Sequence, residues 1–127
     1  MDEVASLIEE ARKYLGAFRL SREWMSAGGV AAAIRTASGR IYTGISIDVS
    51  CGIGFCAEHA AIAEMLKHRE TRIEMVAAIT EGGHIIPPCG RCREFMLQID
   101  DENERTAVVV ARDRVVALKE LLPFRWC

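Results

Sequence analysis

The reactive potential of this sequence is concentrated in two short motifs, Cys56-Ala57-Glu58 and Pro88-Cys89-Gly90-Arg91-Cys92. Both open segments with helical patterning, so the cysteines fall at helix N-termini, where unpaired backbone N–H groups favour a thiolate. Three thiolates aimed at one point would hold a zinc ion and leave its fourth tetrahedral position to water. That open position separates a catalytic zinc site from a structural one. Glu58, in the first turn of its helix, can then sit beside the metal without ligating it and pass a proton from water to a leaving amine. Two other readings stay open at this point. A redox dithiol would use Cys89 and Cys92 but leave Cys56 and Glu58 idle. A closed structural zinc site would take a fourth ligand from Cys51, Cys127, His59 or His84.

The elements that must position these motifs follow from periodicity. Residues 2–16 place Val4, Leu7, Ile8, Ala11 and Leu15 at helical spacing, with Gly16 as a stop. Residues 29–36 read as a buried strand, Ser38-Gly39 as a turn, and residues 40–48 as the returning strand. In that second strand Ile41, Thr43, Ile45 and Ile47 form an apolar face, while Arg40, Tyr42, Gly44, Ser46 and Asp48 lie opposite. A loop over 50–55 leads to a helix from Cys56 to about His68, and residues 72–80 make a third strand. Pro87-Pro88 opens a helix from about Gly90 to Ile99, since proline suits the start of a helix and not its interior. Residues 106–111 and 115–116 supply further strand, followed by a short helix to Leu122. Helices interleaved with strands predict an α/β layer around a mixed sheet.

Composition bounds the possibilities. The 127 residues suit one domain, 1–127, and at 50% hydrophobic with 27% charged they exclude a disordered or collagen-like chain. No apolar run reaches the roughly 18–20 residues a membrane span needs, and the acidic start does not read as a secretory signal, so a cytoplasmic location is expected. Five cysteines, an odd number, argue against a disulfide framework. Sixteen basic against 18 acidic residues, mixed along the chain, weigh against a nucleic-acid partner. Arg12, Lys13, Arg19 and Arg22 read as a solvated face.

From about Val30 onward the chain resembles the small zinc cytidine deaminases of the free-nucleoside branch and, within them, the blasticidin-S deaminases. The likeness runs through Ala32-Ala33-Ile34-Arg35-Thr36, Ser38-Gly39-Arg40-Ile41, Thr43-Gly44, the two cysteine motifs with Arg93-Glu94, and Glu120-Leu121-Leu122-Pro123. The resemblance implies a three-layer α/β/α fold around a central mixed five-stranded sheet, and usually a homotetramer. It implies Zn²⁺ on Cys56, Cys89 and Cys92, with Glu58 as the catalytic proton shuttle. The activity implied is hydrolytic removal of the 4-amino group of a cytosine-type nucleoside (cytidine, deoxycytidine, or an antibiotic such as blasticidin S), with release of ammonia. Alternatives are a noncatalytic zinc domain that binds nucleotides or a protein partner, and a deaminase of bases within tRNA or DNA.

Some positions depart from the family pattern. Where these enzymes carry Asn-x-Glu for the ribose hydroxyls, this chain has Ser46 and Asp48, both shorter, on one face of the strand. Gly28-Gly29-Val30 replaces the usual Phe-Pro-Val before the first strand. Trp126, three residues after Pro123, matches an aromatic that reaches over the base, often in a neighbouring subunit. His59 stands where many relatives have arginine. Three thiolates carry excess negative charge, so Arg91 is expected to hydrogen-bond the ligand sulfurs in its place.

Overall fold

The computed structural model describes residues 2–127. Helix α1 (Glu3–Arg12) is capped by Asp2, whose carboxylate accepts the Ala5 N–H at 2.7 Å. It stops short of Gly16, which instead donates its N–H to the Gly28 carbonyl. The main strands are β2 (Ser26–Thr36), β3 (Ile41–Asp48), β4 (Ile73–Thr80), β6 (Ala107–Ala111) and β7 (Arg114–Ala117). Two-residue strands β1 (Phe18–Arg19) and β5 (Ile85–Ile86) extend the sheet and are too short to leave a periodic signal. Helices α2 (Ala57–Lys67), α3 (Gly90–Ile99) and α4 (Leu118–Leu121) complete the chain.

The five longer strands lie in the order β3-β2-β4-β6-β7, with β4 and β6 parallel and every other pair antiparallel. This is the mixed five-stranded sheet expected. Side-chain alternation along β2 sorts the two faces. Ala31 and Ala33 meet Leu7, Ile8 and Ala11 of α1, whereas Ile34 meets Ala61, Ile62 and Met65 of α2 with Met96 and Leu97 of α3. The result is three layers, α/β/α.

The apolar face expected for β3 is only partly buried, and so is the opposite one. Ile41 is exposed, while Tyr42 is buried in the core beneath α2. The reason lies at Gly44. A Cβ there would stand 2.5 Å from the Ala57 carbonyl oxygen and the Ala61 nitrogen. The helix rests directly on the strand backbone, so the contacting position carries no apolar side chain to announce it.

Asn103 is fully buried and locks the far end of β4 to α3. Its Oδ1 accepts the Ile73 N–H at 2.8 Å, and its amide donates to the carbonyls of Thr71 and Met96. Among the described residues no helix is long and apolar enough to cross a membrane.

Candidate active site

Cys56 and Cys89 are the N-cap residues of α2 and α3, both with extended backbone. Each helix start is set by a distinct device. The loop before Cys56 is pinched shut by paired backbone bonds between Ile47 and Phe55, at 3.0 and 3.1 Å. Gly54 allows the closure, because a Cβ there would collide with the Ile47 carbonyl. Before Cys89, the chain leaves β5 through Pro87-Pro88, and Arg93 Nε donates back to the Pro88 carbonyl at 2.7 Å. The same guanidinium donates to the Leu121 carbonyl and so ties this turn to α4.

The three sulfurs converge. Cys56 Sγ lies 3.4 Å from Cys89 Sγ, Cys89 Sγ lies 3.6 Å from Cys92 Sγ, and all three fall within 4.8 Å of one another. Ligands held tetrahedrally at a Zn–S distance of about 2.3 Å would be about 3.8 Å apart, so the set fits zinc with little adjustment. The electrostatics fit as well. Burial pushes the Cys56 and Cys92 thiols up, and negative charge on Glu58 and the neighbouring sulfurs adds to the effect. At Cys89 burial acts in the same sense but is outweighed by hydrogen bonds from the backbone at Cys92 and Arg91 and from the neighbouring sulfurs, so its thiol lies below the ordinary value. Such a group can ionise fully only around a cation. Cys51 and Cys127 are exposed and stand outside the cluster, and among the described residues it gathers no fourth cysteine or histidine ligand.

Glu58 is only 3% exposed, and burial raises its carboxyl above the usual range. It lines a cavity of about 140 Å³ with Val30, Ser46, Cys56, Ala57, Ile86, Pro87 and Cys89. No other described residue donates a hydrogen bond to its carboxylate. A buried carboxylate bonded only by its own backbone N–H, facing a cavity beside three thiols, is arranged to exchange protons with whatever occupies that space.

Ser46 lies between this cavity and a larger, more open groove of about 340 Å³ that also takes in Asp48, Phe55 and Arg91. It has a structural task too. Opposite it, β2 bulges between Ala27 and Ala31, and the Val30 N–H, lacking a ladder partner, donates to Ser46 Oγ at 3.0 Å. Asp48 is exposed at the groove.

Two expected site residues are placed differently. Trp126 is 85% exposed on the α3 side, its backbone N–H donating to Glu94 Oε1, and lines none of the cavities beside the cysteines. Within the chain it is not brought to Glu58. Arg91 is exposed and makes no hydrogen bond to a sulfur among the described residues. At the second position of α3 its side chain is directed toward the grooves on either side. The contact expected of it is made by His59, whose Nδ1 lies 3.3 Å from Cys92 Sγ. His59 and Cys92 each occupy the third position of their helix, so the approach of the two helix starts makes them meet. Motif spacing within one helix carries no trace of that pairing.

No family model matches the chain. A cytidine deaminase of Mycobacterium tuberculosis is 34% identical over 70 residues, a match spanning 54% of this chain and 53% of that protein. The crystal structure of cytidine deaminase from Mycobacterium tuberculosis superposes with a TM-score of 0.81 at 26% identity, covering 100% of this chain and 99% of that one. The chain is similar to cytidine deaminases in both sequence and structure. The cytidine deaminase of Burkholderia pseudomallei shares the fold equally broadly, with a TM-score of 0.77, 26% identity and coverage of 99% and 100%. In sequence, the chain matches only about half the length of the curated Mycobacterium tuberculosis relative, although the fold likeness runs throughout.

Proposed function

We propose that this chain, as one domain over 1–127, is a cytoplasmic zinc-dependent hydrolase that deaminates a cytosine-type nucleoside. The observation that carries the reading is the buried Glu58, which no other side chain pairs, facing the same cavity as Cys56 and Cys89. The likeness to cytidine deaminases supports it. Cys56, Cys89 and Cys92 would hold the zinc, which supplies Lewis acidity and makes water nucleophilic near neutral pH.

The chain's own residues do the remaining work. Glu58 accepts a proton from the attacking water and delivers it to ring N3, and then protonates the departing 4-amino group as ammonia. Its raised pKa suits a group that must be base and acid in turn. Val30, Ile86 and Pro87 line the cavity with apolar surface and exclude bulk water from the transfer. Ser46 and Asp48 face the sugar end, and Trp126 would cover the base of a neighbouring copy in a homotetramer.

The test is ammonia release by zinc-loaded protein from cytidine and blasticidin S at equal concentration. Release from cytidine in preference assigns Ser46 and Asp48 to ribose and a salvage role; preference for the antibiotic assigns them to a different sugar and to detoxification. No ammonia from either, with zinc bound, removes the cytosine-nucleoside reading.

A further inference from the structure

We infer that His59 is a positioning residue for the metal site, donating its Nδ1–H to the Cys92 sulfur while the flanking aromatic rings hold it in place. The inference rests on the reading that the three cysteines hold zinc. Three observations carry it. The Nδ1–Sγ separation is 3.3 Å, well within the range of a hydrogen bond to sulfur. The imidazole is stacked on Phe95 with centroids 4.4 Å apart and rings inclined by 24°, and Phe55 covers it on a looser contact at 6.2 Å and 29°. The rival donor, Arg91, is exposed and bonded to no sulfur.

The donor assignment follows from proton counting. A cysteine that ligates a cation has lost its proton and can only accept, so the nitrogen facing it must carry the hydrogen. The opposite tautomer would set two lone pairs against each other. An N–H donor suits this place because it draws electron density from Cys92. Less negative sulfur donates less to the metal, leaving a stronger Lewis acid. The stack then matters for geometry: rotating the imidazole out of plane would break contacts with Phe95, so the N–H stays aimed at Cys92.

The test uses the full chain loaded with Co²⁺, whose thiolate-to-metal charge-transfer bands report charge on the sulfurs, together with zinc affinity by chelator competition. His59→Phe preserves a ring against Phe95 and removes only the donor. Its charge-transfer band should move to longer wavelength, and its zinc affinity should fall about 10- to 100-fold because losing the contact that aims the Cys92 sulfur outweighs the stronger donation of the freed thiolate. His59→Asn, which keeps an N–H near the Nδ1 position, should restore both, and His59→Leu should not. That second pair gives the answer even if the phenylalanine variant folds poorly. Arg91→Ala should leave the band in place. An unshifted band and unchanged affinity in His59→Phe and His59→Leu would overturn the inference, as would a shift in Arg91→Ala alone. Failure of the unmodified chain to take up Co²⁺ or Zn²⁺ would overturn the zinc reading itself, and this inference with it.

Discussion

Gly44 lies on β3 directly beneath the first turns of α2, the helix that Cys56 caps and that carries Glu58 and His59. Replacing it with alanine puts a methyl carbon 2.5 Å from two backbone atoms, Ala57 O and Ala61 N, and 2.7 Å from Ala60 Cβ. Ordinary contact begins near 3.4 Å, so the helix must retreat by about 0.9 Å. Backbone cannot step aside as a side chain would, and overpacking of this kind costs about 1–3 kcal/mol. For a chain of 127 residues that corresponds to a melting temperature lower by about 4–11 °C. The functional cost should be larger than the stability cost suggests. A retreat of about 1 Å carries Glu58 away from the reacting atoms, and a misplacement of that size can lower turnover about 100-fold. Thermal unfolding at fixed zinc concentration and kcat for ammonia release measure the two effects. A Gly44→Ala protein with unchanged melting temperature and turnover would refute the claim that this contact sets the position of α2.

Other expectations concern single side chains. Glu58→Gln should retain zinc, measured by metal analysis, and lose at least about 100- to 10,000-fold in turnover; near-normal turnover would remove its proton-transfer role. Trp126→Ala should raise KM by about 5- to 150-fold, the equivalent of about 1–3 kcal/mol of base stacking, while leaving the fold unchanged; an unaltered KM would mean that the tail does not reach a substrate. Glu70 accepts hydroxyl hydrogen bonds from Ser38, Tyr42 and Thr36, which hold its carboxyl at about 2. Because this pKa is depressed on folding, its stabilisation is complete above the unfolded carboxylate range near 4.3 and is lost as pH falls toward 2. In denaturation series across that window, Glu70→Gln should flatten the acid limb, and an identical limb would show that the hydroxyls contribute nothing.

The elements that were legible in the sequence are those whose side chains report their own burial. Alternating and helical apolar patterns located α1, the four longest strands, α2 and α3 to within a few residues, because a buried face must be apolar wherever it packs on another. The cysteine motifs were legible for a related reason: N-capping and first-turn positions are local, so spacing alone predicts which side chains can point the same way. Contacts made through backbone or between distant helices were not. Gly44 presents no side chain to read, Ser46 serves a bulge created by another strand, and Asn103 bonds two carbonyls and an N–H in segments far from it in sequence or across a turn. The exchange of Arg91 for His59 at the sulfur belongs to the same class. Spacing placed both residues near the metal ligands, and only the angle at which α2 and α3 bring their starts together decided which one reaches Cys92. The sequence by itself therefore determined the chemical groups and their local frames. The tertiary structure decided the partners, because a hydrogen bond depends on a few tenths of an ångström between elements that sequence distance does not encode.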